Sequence, residues 1–335
     1  RVEQVLGGRG LAVALGTFHS TCVRILRKWH TELGFRQSFV IYDDADQLGL
    51  IRDCLKGLNL SERVMSPRAV AARISRAKNE MQTPGEYAAA ATDFTEERTA
   101  KIYSMYQERL RASHAVDFDD LLMLTVLLFR DHAHVLEYYQ NLWRYVLVDE
   151  YQDTNHAQYE LVRLIAGPTG NVAVVGDDDQ SIYGWRGAKI ENIQRFTEDF
   201  SATRTIRLEQ NYRSTGTILA AANGVIANNQ GRMGKKLWTE GPEGGLINLY
   251  AAFNEQDEAR FVVEQIRQWL DQGRRADEVA ILYRTTAQSR LFEEYLLRAG
   301  IAYRVYGGQR FFERVEVKDA LAYLRLVLNP NDDAA

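Results

Sequence analysis

The chain has 335 residues, 46% apolar and 26% charged, a balance that fits about two globular domains and excludes a disordered or fibrous protein. A net charge of −4 with a pI near 6.0 excludes a globally basic nucleic-acid binder, so any DNA track is expected to be local. Cys22 and Cys54 are the two cysteines and lack metal spacing, and no apolar run reaches about 20 residues, which points to a reducing cytoplasm, core thiols and no membrane span.

The sequence starts at Arg1 without a signal-peptide pattern and ends Asn329-Pro330-Asn331-Asp332-Asp333-Ala334-Ala335 directly after a helical pattern. Neither end has the character of a natural terminus, and a segment of a longer protein is expected. Leu11 to Leu15 has strand character and leads into Gly16-Thr17-Phe18-His19-Ser20, which opens a helix expected to reach Trp29. Thr17 or Ser20 leaves backbone N–H groups and a hydroxyl for a phosphate, although a plain N-cap with His19 at the surface is the simpler reading of these residues alone.

From Tyr42 to about His114 the pattern is helical and polar. Asp43-Asp44-Ala45-Asp46-Gln47 starts one helix and Ser66-Pro67 another. Arg63, Arg68, Arg73, Arg76 and Lys78 suit a phosphate backbone and equally a solvated helix face. A long amphipathic helix spans Asp93 to Arg111, and the next runs from Phe118 to Phe129 with carboxylates in its first turn. Phe118 fits a base-stacking role or a hydrophobic staple.

Tyr145-Val146-Leu147-Val148 stops at Asp149-Glu150-Tyr151-Gln152-Asp153, and after a helix from Ala157 to Ala166 the run Asn171-Val172-Ala173-Val174-Val175 stops at Gly176-Asp177-Asp178-Asp179-Gln180. Short apolar runs of this kind fit strands buried on both faces of a parallel sheet. Ligands of open α/β sheets sit beyond the carboxyl ends of such strands, where Asp149 can hold Mg²⁺ and Glu150 can polarise an attacking water. One strand ending on acids means little by itself; two in tandem, with Gln180, Tyr183 and Trp185 after the second, define a candidate site.

A helix from Ile190 to Phe200 and a strand Thr205-Ile206-Arg207-Leu208 follow, then Glu209-Gln210-Asn211-Tyr212-Arg213-Ser214 and a helix through Ala227. Arg213 fits a γ-phosphate contact beside these acids, with a surface salt bridge as its ordinary reading. Gln230 to Gly245, rich in Gly, Lys and polar residues, reads as a linker. Beyond it, strands at 247–251, 279–283 and 303–305 alternate with helices at 256–272, 287–299 and 317–328, implying a second parallel sheet; Gly307-Gly308 is expected to turn.

Three stretches closely resemble motifs II, III and IV of the UvrD/PcrA/Rep family of superfamily 1 DNA helicases: Asp149-Glu150-Tyr151-Gln152-Asp153-Thr154-Asn155, Gly176 to Ala188, and Leu208 to Ser214. Thr17-Phe18-His19-Ser20 resembles motif Ib, and Leu282 to Arg290 a segment of the second motor domain. The resemblance implies an α/β fold of P-loop NTPase (RecA-like) parallel-sheet motor domains with an inserted helical subdomain. It implies an ATP- and Mg²⁺-dependent 3′→5′ translocase that acts on single-stranded DNA and single-strand/duplex junctions, works in DNA repair with repair proteins as partners, and resides in the cytoplasm.

Carried over by residue, Asp149 with Glu150 holds Mg²⁺, Glu150 activates water and Gln180 senses the γ-phosphate. Arg213 stabilises transition-state charge and Tyr212 lies against adenine. Phe118, Tyr183 and Trp185 stack on bases, with Arg186, Thr17 and His19 near the DNA backbone. The implied layout places 1–42 and 115–244 in motor domain 1A, 43–114 in helical subdomain 1B and 245–335 in the first part of motor domain 2A. No Gly-x-x-x-x-Gly-Lys-Ser/Thr motif occurs in the sequence, and motifs V and VI are missing as well, so this segment alone is expected not to hydrolyse ATP. Two alternatives stand beside this reading: the motor part of a RecB/AddA-type helicase-nuclease, and a non-catalytic DNA-binding module that keeps the motor fold.

Overall fold

Side-chain caps set where most helices begin, because each satisfies backbone N–H groups that a first turn leaves open. In the computed structural model, which describes residues 4, 5, 7, 13–200, 202–306 and 315–328, Thr17 caps α1 (Phe18–Lys28) by accepting from Ser20 N. Reciprocal capping boxes, Asp43 with Asp46 and Asp117 with Asp120, open α2 (Asp44–Gly57) and α6 (Phe118–Asp131). Pro67 starts α3 (Pro67–Asn79), Thr83 caps α4 (Pro84–Ala90) and Asp93 caps α5 (Phe94–Ala112). After α7 (Ala133–Leu142), an Asn155 and Gln158 box opens α8 (His156–Ala166), and α9 (Glu191–Asp199) follows.

The chain divides into two compact units. The first takes residues 1–209, 225–236 and 322–335, and the second 210–224 and 237–321. In the first, α1, α6, α7 and α8 pack Cys22, Ile25, Leu121, Val126, Phe129 and Leu161 into one core. A separate core joins α2, α3 and α5 through Ile51, Ile74, Ile102 and Tyr106. Each such side chain, removed from water, contributes roughly 1.5–3 kcal/mol before chain entropy is counted.

Two short parallel pairs position the acids. β1 (Val40–Ile41) pairs with β2 (Ala115–Val116), and β3 (Val146–Val148) pairs with β4 (Val172–Val174) in the register Val148 to Val174. β3 packs Val148 onto Tyr151, Tyr159, Val162 and Phe196. Parallel pairing agrees with the expectation, but each sheet described has two strands. Burial on both faces does not hold: Leu147 is 80% exposed, because α8 and α9 supply one apolar face and nothing among the described residues covers the other.

Other expected strands have no ladder. Residues 13–15, 205–208, 247–251, 279–283 and 303–305 form no strand, and residues 11 and 12 and the Gly307-Gly308 turn lie outside the described residues. An apolar alternating segment reports an affinity for a sheet, while a strand also needs a neighbour's N–H and C=O groups. The expected helices are present. α10 (Gly216–Ile226), α11 (Glu255–Asp271), α12 (Thr286–Arg298) and α13 (Val315–Leu328) follow in order. In the second unit α11 and α12 share a small core of Val263, Ile266 and Leu296. Among the described residues no helix is long and apolar enough to cross a membrane.

Candidate active site

The ends of β3 and β4 are joined by backbone. Val175 N–H donates to Val148 O at 2.8 Å and Tyr151 N–H to Val175 O at 2.9 Å, so the acids after each strand emerge side by side. Glu150 takes the left-handed conformation, with φ of 52°. Holding a non-glycine residue there costs about 1–3 kcal/mol and persists where the surroundings over-determine it. Asp149 Oδ1 accepts from Glu150 N–H at 3.0 Å. Both carboxylates are exposed, and among the described residues no basic side chain pairs with either. Two accessible, unneutralised hard oxygen donors fit Mg²⁺.

Gln152, only 1% exposed, bridges the two acidic loops. Its Nε2 donates to Glu150 Oε2 at 2.8 Å and its Oε1 accepts from Asp177 N–H at 2.9 Å. The backbone N–H can only donate, which fixes the orientation of the amide. Gly176 permits this approach: a Cβ there would lie 2.9 Å from Gln152 Oε1 and 2.8 Å from Ile193 Cδ1.

The second loop folds as two 3₁₀ turns, Asp178–Gln180 and Gly184–Arg186. Gln180 Nε2 donates to Asp177 Oδ2 at 2.7 Å. Burial alone would raise the Asp177 carboxyl, but hydrogen bonds from Lys235 and Gln180 outweigh it and hold the group below the usual range. Asp177, Asp178 and Asp179 cluster closely enough to suggest a metal site. Lys235 pairs with Asp177 and Arg232 forks onto Asp179, so cations of the chain itself already pair with two of the three acids. Tyr183 and Trp185 lie 6.4 Å apart by ring centroid, Arg186 sits 4.5 Å over the Trp185 ring, and Trp185 is 71% exposed. Gly187, with φ of 86°, ends this turn in a conformation that glycine adopts without strain.

A second group gathers at α1 and α6. His19 stacks on the exposed Phe118 ring at 4.2 Å and 28°. Burial lowers the His19 pKa to about 4, so the imidazole is neutral near pH 7 and offers a ring face rather than a cation. Thr17 is exposed while its hydroxyl caps α1. Asn79, at the end of α3, donates to Asp119 Oδ1 at 3.1 Å and accepts from Asn155 Nδ2, and so links the residue after Phe118 to the segment after Glu150.

Beneath Phe118 lies a closed polar network. Lys78, fully buried, pairs with Asp117 at 2.6 Å and Asp120 at 2.8 Å, and Tyr106 OH donates to Asp117 at 2.8 Å. Burial opposes charge on Lys78, but the two carboxylates prevail and raise its pKa. Burial next to Asp117 pushes Asp119 and Asp120 up to about 6.

The first unit thus brings Asp149, Glu150 and Gln180 into one hydrogen-bonded set, Tyr183, Trp185 and Arg186 into one turn, and His19 with Phe118 into one stack. Tyr212 and Arg213 belong to the second unit. There Tyr212 is 86% exposed and donates its OH to Gln210 Oε1 at 2.7 Å, and Arg213 N–H donates to Asn211 Oδ1 at 2.9 Å. Gln152, Arg232 and Lys235 are site residues that the sequence pattern does not single out. Two bases three residues apart in the 230–245 linker, set against three consecutive acids, carried a signal for the last two. Gln152 had none beyond its place between Glu150 and Asp153.

Two acidic loops at the ends of parallel strands, followed by an exposed aromatic turn, set carboxylates that fit a hard cation beside rings that can stack on bases. The chain belongs to the UvrD/REP helicase family: the UvrD/REP helicase N-terminal domain matches residues 1–201 and the UvrD-like helicase C-terminal domain matches residues 206–335. Membership carries with it the P-loop NTPase fold. The chain is 51% identical over 335 residues to DNA helicase II of Escherichia coli K12, covering all of this chain and 46% of that protein. It is 48% identical over 333 residues to the ATP-dependent DNA helicase PcrA of Staphylococcus aureus Mu50, covering 99% of this chain and 46% of that protein. The chain therefore spans just under half the length of these relatives.

Proposed function

We propose that this chain is part of an ATP-hydrolysing 3′→5′ DNA helicase that translocates on single-stranded DNA, opens duplexes at single-strand/duplex junctions and acts in cytoplasmic DNA repair. The observation that carries the reading is the continuous linkage from Glu150 through Gln152 and Asp177 to Gln180, four residues before the turn that bears Trp185 and Arg186. A motor needs such a path, because hydrolysis must be felt at the strand it holds.

Asp149 and Glu150 would hold Mg²⁺, which supplies charge neutralisation of the phosphates when bound. Glu150 orients and deprotonates the attacking water, Gln180 reports the γ-phosphate, Arg213 adds fixed positive charge and Tyr212 lies against adenine. Phe118, Tyr183 and Trp185 stack on bases, with Arg186, Thr17 and His19 alongside the backbone; stacking tolerates any sequence because every base has a π-face. The sequence has no phosphate-cradling lysine loop, so turnover requires one from outside these residues.

The separate helical core of α2, α3 and α5 supports reading 43–114 as subdomain 1B inserted in a parallel-sheet motor domain 1A (1–42 and 115–244), with 245–335 opening domain 2A. The test is Glu150→Gln in the full-length protein. ATP and DNA binding are expected to persist while DNA-stimulated hydrolysis falls about 10²- to 10⁴-fold; near-normal turnover would overturn the general-base assignment.

A further inference from the structure

The segment 231–236 closes the stretch 225–236 that belongs to the first unit, and it is fastened to the second acidic loop at every residue of its acid triplet. Arg232 Nε and Nη2 reach Asp179 Oδ1 and Oδ2 at 2.6 and 2.5 Å. Met233 N–H donates to Asp178 Oδ2 at 2.7 Å. Lys235 Nζ pairs with Asp177, whose Oδ2 holds Gln180 Nε2 at 2.7 Å. The strap is held from its other side as well: Arg207 Nη2 donates to Met233 O at 3.1 Å and Lys236 N–H to Glu209 Oε1 at 3.1 Å. Lys235 and Asp177 side chains are 18% and 21% exposed, so the pair is poorly screened and its geometry is well defined.

None of this is needed to hold a linker, for which a few backbone contacts suffice. The arrangement instead gives each acid of the loop a partner from the strap, with Lys235 also 3.9 Å from Asp179, and leaves the Asp177 carboxylate shared between the strap's lysine, the Asp179 N–H and the amide of Gln180. We propose that Lys235 is a positioning residue for Gln180, acting through Asp177, and that the strap thereby sets the position of the γ-phosphate sensor. A shift of the strap moves Asp177, and with it the point from which Gln180 swings toward a phosphate. The inference rests on the assignment of Gln180 as that sensor.

The experiment compares Lys235→Ala, Lys235→Arg, Gln180→Ala and the Lys235→Ala/Gln180→Ala double variant in the full-length protein, reading ATP hydrolysis with and without single-stranded DNA. Lys235→Ala is expected to lower DNA-stimulated kcat about tenfold or more while KM for ATP stays within about twofold. Lys235→Arg should restore most of the loss, and the double variant should hydrolyse no more slowly than Gln180→Ala, because both substitutions act on one group. Losses that multiply in the double variant, or normal DNA stimulation in Lys235→Ala, would overturn the inference while leaving Gln180 in its role. Normal hydrolysis by Gln180→Ala would instead remove the sensor assignment on which it rests. Should Lys235→Ala fail to fold, Lys235→Met with Asp177→Asn removes both charges, and the same selective loss of DNA stimulation is required of it.

Discussion

Gln152 ties Glu150 to the second acidic loop: one buried amide donates to the Glu150 carboxylate at 2.8 Å and accepts from the Asp177 backbone at 2.9 Å. A left-handed Glu150 would otherwise be free to relax, so the amide both orients the carboxylate and fixes its distance from Gln180. Replacing Gln152 with Glu keeps the acceptor for Asp177 N–H but sets a second carboxylate against Glu150, which raises the proton affinity of the pair. We expect DNA-stimulated kcat in the full-length protein to fall on the order of 10- to 100-fold at neutral pH. Gln152→Met keeps the volume but leaves the Asp177 N–H without an acceptor, destabilising the chain by about 1–3 kcal/mol in thermal or urea unfolding. Wild-type turnover by Gln152→Glu would show that the bridge is structural only.

Trp185 makes the opposite case, an exposed aromatic with little to hold in place. At 71% exposure it contributes little to a core, so Trp185→Ala should change unfolding stability by no more than about 0.5 kcal/mol. Affinity for oligo-dT at fixed salt should fall by about 1–3 kcal/mol, the worth of one base stack, with basal hydrolysis less affected than unwinding. An unfolding loss as large as the binding loss would make it a packing residue.

The stack of His19 on Phe118 has a pH signature. Burial holds the folded His19 near pKa 4 against about 6.5 in an unfolded chain. The folded form therefore binds the proton more weakly, and this residue's stabilising effect is complete above about pH 6.5 and lost as pH falls toward 4. Phe118→Ala uncovers the ring: by NMR titration its pKa should rise toward 6.5, and this part of the acid destabilisation should shrink. An unchanged pKa in that variant would mean that other residues bury the imidazole.

How much of this was legible in the residues differs by feature. Helices were, because caps such as Asp43, Asp93 and Asp117 are local chemistry at the helix starts the pattern marked, while the helix expected from Ala157 starts one residue earlier, capped by Asn155. The acids at the ends of β3 and β4 were also legible, since an apolar run that stops at Asp149 or Gly176 is a local signal. Full sheets were not: Ile247 to Ala251 has the composition of a strand, yet pairing depends on partners that composition does not report. Nor was the strap, because Lys235 sits 58 residues from Asp177 in the chain, and only folding shows which acid it meets. Tyr212 and Arg213 are picked out by motif and stand in the second unit.

Lys78 yields the largest expected stability effect. Among the described residues it is the cation paired with Asp117 and Asp120, with Tyr106 OH and the Gln47 and Gln107 amides also donating to them and Asp119 close by on the same turn. Lys78→Met removes the charge and leaves two carboxylates buried together, which costs roughly 3–5 kcal/mol at neutral pH. Without the lysine Asp120 rises further above its unfolded pKa, and Asp117 loses the charge that holds it below the usual carboxylate range against burial, so the variant's fold binds more protons than its unfolded chain. Stability lost at pH 7 should therefore return as pH falls toward 4, and the gap to the wild type should narrow over that range. Combining Lys78→Met with Asp117→Asn and Asp120→Asn should recover much of the neutral-pH loss, since an amide oxygen at position 117 can still cap α6 and neither of the two carboxylates that faced the lysine remains. Urea unfolding at pH 7 and pH 5 measures all three arms. A gap that does not change with pH would show that Lys78 contributes through packing of its chain rather than through the two carboxylates.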